Sequence, residues 1–466
     1  MVTGFGRALA ALQPEVGRSC EVRVLVQHAF TEEIADAAVS GRPVVSELEG
    51  MVPGLQLDPE YAPVMVPRPA PAEPGGNPLD LGQSFEFSMA PEHATYLVRG
   101  ELADELAATA HSTRHPNVVG IFADVDIETA PTCGGDPAVG TADDVAAQLA
   151  ADQLAQAGMD GAGVALAVVD TGINLAYLAA MGRQPQLDAR HSLVPSGVAT
   201  LPGAHPVHHG TMCAFDAGIA APAAVLVDHA VLLSPHPTRP SMVGLLSDAV
   251  RSYGALLRLA RSLPGRYHCL VVTNSWGMFA PGSDFPVGHP GNYSDNAAHP
   301  FNVIVTSLVA AGADVLFAAG NCGRECPDSR CQFGNEPPIC GANSHPSVIC
   351  LAGIDVNNGR VGYSSQGPGR LFADKPDISS YTHFTGSRVF DPDPDSGTSA
   401  ACPVAAGVVA AIRSRMPSHQ MTPAQLKSVI FQTATDLGTA GYDYDFGWGT
   451  VDVPALLSQL ARAGAA

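Results

Sequence analysis

Five predominantly apolar runs, at residues 164–169, 225–233, 269–274, 314–318 and 348–353, alternate with stretches of helical periodicity. A strand without polar alternation must be covered on both faces, and strand-helix alternation is how a parallel sheet obtains that cover. The expected fold is therefore α/β: a doubly wound, mostly parallel sheet with helices on both faces. With 46% hydrophobic and 15% charged residues over 466 positions, the chain can fill a large core, and disorder on a large scale is excluded.

The length suggests a catalytic-sized domain with a smaller companion. Before residue 130, the runs Val22–Val26 and Ala94–Val98 read as strands, followed by a helix over 101–113 and a strand over 118–125, a small α+β unit. The Pro-rich stretch at 62–79 reads as a loop or linker. Residues 131–141 are the expected connector, and 142–460 the main domain, beginning with a helix over 142–157. Thr422-Pro423-Ala424-Gln425 carries the cap, first-turn proline and capping-box glutamine of what reads as the last helix, and the tail from Arg462 as frayed.

A formal charge of −21 argues against nucleic acid or anionic membrane as partner, and no apolar run is long enough to span a bilayer. The N-terminus lacks the basic and apolar regions of a signal peptide, so the expected location is the cytoplasm, with secretion as the alternative.

Three short stretches carry chemistry. Asp170 closes the apolar run 164–169 at a strand end, where a carboxylate can be held facing a crevice. His209 opens His-Gly-Thr ahead of an apolar helical stretch, with His205 and His208 as rivals; Gly210-Thr211 singles it out. Ser399, in Gly-Thr-Ser-Ala-Ala-Cys-Pro, precedes a helical run, so its hydroxyl falls at a helix N-terminus. A nucleophile, a base, an orienting carboxylate and an oxyanion donor are the parts that acyl transfer needs. Residue 401 is Ala, so Ser399 does not sit in a G-x-S-x-G elbow.

In the order Asp, His, Ser, these motifs resemble those of subtilisin-like serine proteases, and the likeness runs through most of residues 160–455. The resemblance implies a serine endopeptidase with Asp170, His209 and Ser399 as triad and Asn321, in Phe-Ala-Ala-Gly-Asn, as oxyanion donor. It further implies substrate-binding walls at Ser275, Trp276 and Gly277 and at Ala318, Ala319 and Gly320, gripping an extended peptide or protein substrate. Residues 94–128 resemble the C-terminal half of a subtilase propeptide, which makes the N-terminal region the expected intramolecular inhibitor. The alternative is a latent or silent subtilase-fold module that binds peptides or partners. No cofactor or metal site is assigned, calcium included. After Asn321 the sequence leaves the family pattern with Cys322, Cys326, Cys331 and Cys340, whose spacing admits disulfides, free thiols or, less readily, zinc.

Overall fold

The computed structural model describes residues 21–44, 50, 52–69, 87–88, 90–103, 115–129, 132, 136–233 and 242–464. The first fifteen residues, and most of the expected helix over 101–113, lie outside them.

The N-terminal unit is an antiparallel sheet. β1 (Glu21–His28) lies between β4 (Thr95–Ala103) and β5 (Val118–Ala123), and helix α1 (Glu32–Ser40) packs on one face. The short strands β2 (Leu55–Leu57) and β3 (Val64–Val66) lie end to end along the outer edge of β4. Two sequence expectations are corrected here. Residues 101–103 continue β4 rather than starting a helix, with Leu102 buried against β1 and β2. The Pro-rich stretch begins as a strand: between Pro63 and Pro67, three residues with free N–H groups and two buried valines pair with β4, as an edge strand permits. β6 (Asp126–Glu128) then leaves this sheet altogether.

The main domain has a seven-stranded, all-parallel sheet in the order β8-β9-β7-β11-β12-β13-β14. These strands are β7 (Val164–Val169), β8 (Gln186–Leu187), β9 (Val225–His229), β11 (Cys269–Asn274), β12 (Asp314–Ala318), β13 (Ile349–Ile354) and β14 (Ile378–Tyr381). The apolar runs explain the two-sided cover. Val164, Leu166 and Val168 of β7 face one core while Ala165, Ala167 and Val169 face the other, and all six are fully buried. At about 1.5–3 kcal/mol for each large aliphatic side chain, such strands are the main apolar reservoir of the fold. One face is covered by α4 (Leu175–Ala180), α5 (His209–Ala217) and α8 (Thr398–Arg413), the other by α6 (Leu246–Arg261), α7 (Pro300–Ala310) and the N-terminal sheet. Val64 and Leu97 of that sheet and Tyr61, between β2 and β3, share the core of α6, and Tyr61 donates its hydroxyl to the Ser247 carbonyl at 2.8 Å.

Further departures are local. The helix expected over 142–157 is two, α2 (Ala142–Gln148) and α3 (Ala151–Gln156), broken where Ala150 takes φ 46°. The run at 225–233 is a strand only to His229. The helix α9 (Pro423–Thr433) has the expected Thr422–Gln425 capping box, but it is followed by α10 (Val453–Gly464), in which Leu456 and Leu460 are buried at helical spacing. Arg462 belongs to that helix and not to a frayed tail.

Candidate active site

The order of strands reverses at β7: the chain moves to β9 on one side and β11 on the other. Asp170 follows β7 directly, and crevices at such switch points are where α/β sheets bind ligands. Its backbone N–H bonds the His229 carbonyl of β9 at 2.9 Å, and its Oδ1 accepts the Thr171 N–H at 2.7 Å, which fixes the carboxylate.

His209 is the first residue of α5. Its Nδ1 lies 2.9 and 3.0 Å from the two Asp170 oxygens, and both side chains are nearly buried. Gly210 lets the helix come this close. Its N–H bonds Thr171 Oγ1 at 2.8 Å, while a Cβ there would stand 2.6 Å from the Gly172 carbonyl oxygen. The rival histidines have other surroundings. His205 sets Nδ1 against Thr200 Oγ1 at 2.7 Å and Nε2 3.4 Å from buried Asp228, and His208 packs edge-on against Phe390.

Ser399 is the second residue of α8 and is buried to 4% exposure at its N-terminus. Pro403, four residues on, has no N–H to give the Ser399 carbonyl, so that oxygen is left for others. It accepts Ser275 Oγ at 3.0 Å and the Cys213 thiol at 3.6 Å. Cys213 ties the group together, since its sulfur also lies 3.7 Å from Asp170 Oδ2 and from His209 Nδ1. Burial, reinforced by the Asp170 charge, holds this thiol well above its usual pKa, so it stays neutral. Among the described residues, Asp170, His209 and Cys213 form a set with metal-ligand spacing, but Asp170 and His209 direct their atoms at each other.

Asn321 follows β12. Its side-chain oxygen accepts from the Thr398 N–H at 2.9 Å and from Thr398 Oγ1 at 3.1 Å, which fixes the amide with its Nδ2 beside Gly397. Gly397, at φ 78°, leaves the space between them open. A Cβ there would lie 2.8 Å from Asn321 Nδ2 and 3.4 Å from the Ser399 nitrogen. Asn321 Nδ2 and the Ser399 nitrogen thus both border the space that a side chain at 397 would fill, a layout suited to receiving an oxyanion.

The six residues expected as substrate walls form two adjacent strand ends. Gly277 presents backbone to the cleft, Gly320 N–H donates to Thr398 Oγ1 at 3.0 Å, and Ala318 and Ala319 are buried behind it. The Trp276 ring instead packs into the core against Phe301 and Phe317. Asn343, which sequence reasoning missed, clamps the walls together, its Nδ2 donating to the Trp276 carbonyl at 2.8 Å and the Ala318 carbonyl at 2.9 Å. Nothing local in its sequence marks it. Of the four loop cysteines, Cys322 and Cys331 form a disulfide, Cys326 is also disulfide-bonded, and Cys340 is a buried free thiol, an arrangement that excludes a four-thiolate zinc site.

The family model described as the subtilase family matches residues 161–449, well over half of the chain. The chain belongs to the subtilase family. This subtilase is 33% identical over 146 residues to the thermostable alkaline protease of Halalkalibacterium halodurans, 31% of this chain and 36% of the relative. It is 26% identical over 310 residues to the subtilisin of Bacillus pumilus, 66% of this chain and 96% of the relative. Fervidolysin of Fervidobacterium pennivorans, a keratinolytic enzyme related to subtilisin, has the same fold, with a TM-score of 0.57 at 17% identity over 96% of this chain and 62% of its own.

Proposed function

We propose that this subtilase is a serine endopeptidase that forms an acyl-enzyme on Ser399. His209 Nε2 takes the Ser399 proton as Oγ attacks the peptide carbonyl, and Asp170 holds the Nδ1–H tautomer and stabilises the imidazolium. The oxyanion is received by Asn321 Nδ2 and the Ser399 N–H. On collapse the imidazolium gives its proton to the leaving amine, and water repeats the cycle to release the acid. The observation that carries this reading is the Asp170–His209 hydrogen bond at the switch point, with Cys213 bridging from both to the Ser399 carbonyl and with Asn321 Nδ2 and the Ser399 nitrogen both beside Gly397. Ser399→Ala is expected to abolish peptide hydrolysis and fluorophosphonate labelling with an unchanged melting temperature; labelling that persists in that variant refutes the assignment.

The N-terminal sheet is proposed as an intramolecular inhibitor, so that the full chain is latent until residues after Glu128 are cut or displaced. Its core shared with α6 and the course of β6 along the cleft support this. The oxidised cysteines beside Asn321 favour export to an oxidising compartment over the cytoplasm.

A further inference from the structure

β6 lies between two backbone segments of the main domain. On one side it pairs antiparallel with β10 (Val243–Leu245), and Thr129 N–H points at the Met242 carbonyl at 3.4 Å. On the other, Glu128 and Gly277 exchange both backbone hydrogen bonds at 3.0 Å. Beyond it, Thr132 Oγ1 meets Ser396 Oγ at 3.3 Å, three residues before Ser399. The segment therefore runs through the cleft as an extended peptide would.

One side chain reads it. Arg330, inside the loop closed by Cys322–Cys331, forms an ion pair with Glu128 through Nη1 and donates Nη2 to the Thr129 carbonyl at 2.6 Å. Its direction is imposed from behind: Asp328, almost wholly buried, accepts from Nη2 at 2.9 Å and from Nε at 3.3 Å, and the guanidinium lies 5.7 Å over the Phe279 ring. Burial raises the Glu128 carboxyl above its usual range and Arg330 opposes that, so the arginine is what favours a charge there. Lysine or an apolar residue in place of Glu128 would leave the aimed Nη1 without an acceptor, and glutamine would offer an acceptor without the charge.

We infer that Arg330 is a specificity-determining residue, which selects an acidic side chain on the acyl side of the bond to be cut. This rests on the endopeptidase reading above. The Thr129 carbonyl is taken by Arg330 and Thr132 has already reached Ser396, so Glu128 marks the third or fourth acyl-side position.

The test is a cleavage-site profile of the full chain on a denatured protein mixture, with Arg330→Glu alongside. Wild type is expected to favour Asp or Glu over Lys at one of those positions by about tenfold, the range of a half-buried charge pair, and Arg330→Glu to favour Lys or Arg there. No acidic preference, or one that Arg330→Glu leaves intact, overturns the inference. Cutting that survives Ser399→Ala would instead refute the enzyme reading alone. A full chain too latent to cut answers by hydrogen exchange in a Ser399→Ala background. Arg330→Glu should lose protection of the amides at 126–129, and adding Glu128→Lys should restore it; protection unchanged by Arg330→Glu overturns the proposal.

Discussion

Ser399 and His209, the proposed nucleophile and base, ride on different helices, so their alignment depends on how closely α8 and α5 pack, and Gly407 sets that distance. A Cβ at 407 would stand 2.2 Å from the Ala217 carbonyl oxygen and 3.1 Å from its carbonyl carbon. Ordinary contact needs more than 3 Å, so Gly407→Ala must part the helices by roughly 1 Å; backbone atoms cannot rotate aside as a flexible side chain can. Overpacking of this kind costs about 1–3 kcal/mol, against a gain of roughly 1 kcal/mol for replacing a mid-helix glycine. The net effect on stability is modest. The effect on rate is larger, because a shift of about 1 Å between reacting groups can cost on the order of 10²-fold. Gly407→Ala is therefore expected to lose tenfold to a hundredfold in kcat with KM little changed, while urea unfolding moves by no more than about 2 kcal/mol. Gly282→Ala, where nothing lies within 4 Å of the new Cβ, is the control and should match wild type. Wild-type kcat in Gly407→Ala would refute the idea that this helix contact sets the catalytic geometry.

Asn321→Ala should lower kcat by about 10² to 10³, the size of loss subtilisin shows for its own asparagine, and leave KM nearly unchanged; a rise in KM alone would make Asn321 a wall residue. Asp228, buried between His205 and the Ile173 and Gly203 N–H groups, has its carboxyl pushed up to about 7, chiefly by burial. A carboxyl raised on folding stabilises most below about pH 4 and loses that contribution as pH rises through about 7. Asp228→Asn should therefore equal or trail wild type at pH 4 but exceed it at pH 8, by on the order of 3 kcal/mol in urea unfolding, and parallel pH profiles of the two would refute the assignment.

The sheet was legible because its signal is local: a run of mainly apolar residues without polar alternation has one solution, and each of the strands at 164–169, 269–274 and 314–318 has the bounds its run predicts. The triad candidates were legible because glycines that a close approach demands, such as Gly210 and Gly397, sit beside them in sequence. What escaped was set by contacts between distant segments. Asn343 earns its place by bridging carbonyls 67 and 25 residues away. The strand at 64–66 is hidden by its prolines, and the break at Ala150 has no glycine or proline to announce it. Asp395, in the loop before Ser399, is buried and receives the N–H and hydroxyl of Ser387, eight residues earlier.

The loop at 322–331 joins two properties that would otherwise be separate. The Asn321 carbonyl accepts the Asp328 N–H at 2.9 Å, and Asp328 is the residue that aims Arg330. A strand gripped by Arg330 is thus linked, through a single residue, to the backbone of the oxyanion donor, and the Cys322–Cys331 bond closes this circuit within ten residues. Because hydrogen bonds to charged groups are stronger than neutral ones, a carboxylate in the Glu128 position fixes the Arg330 guanidinium from the front as Asp328 does from behind, and so restrains the loop that adjoins Asn321 more than an uncharged residue would. Under the mechanism proposed above, the same contact serves selection and positioning: a chain with the acidic residue in register meets a better fixed Asn321. This coupling predicts that an acidic residue at that position raises kcat as well as lowering KM, whereas a binding contact alone would change only KM.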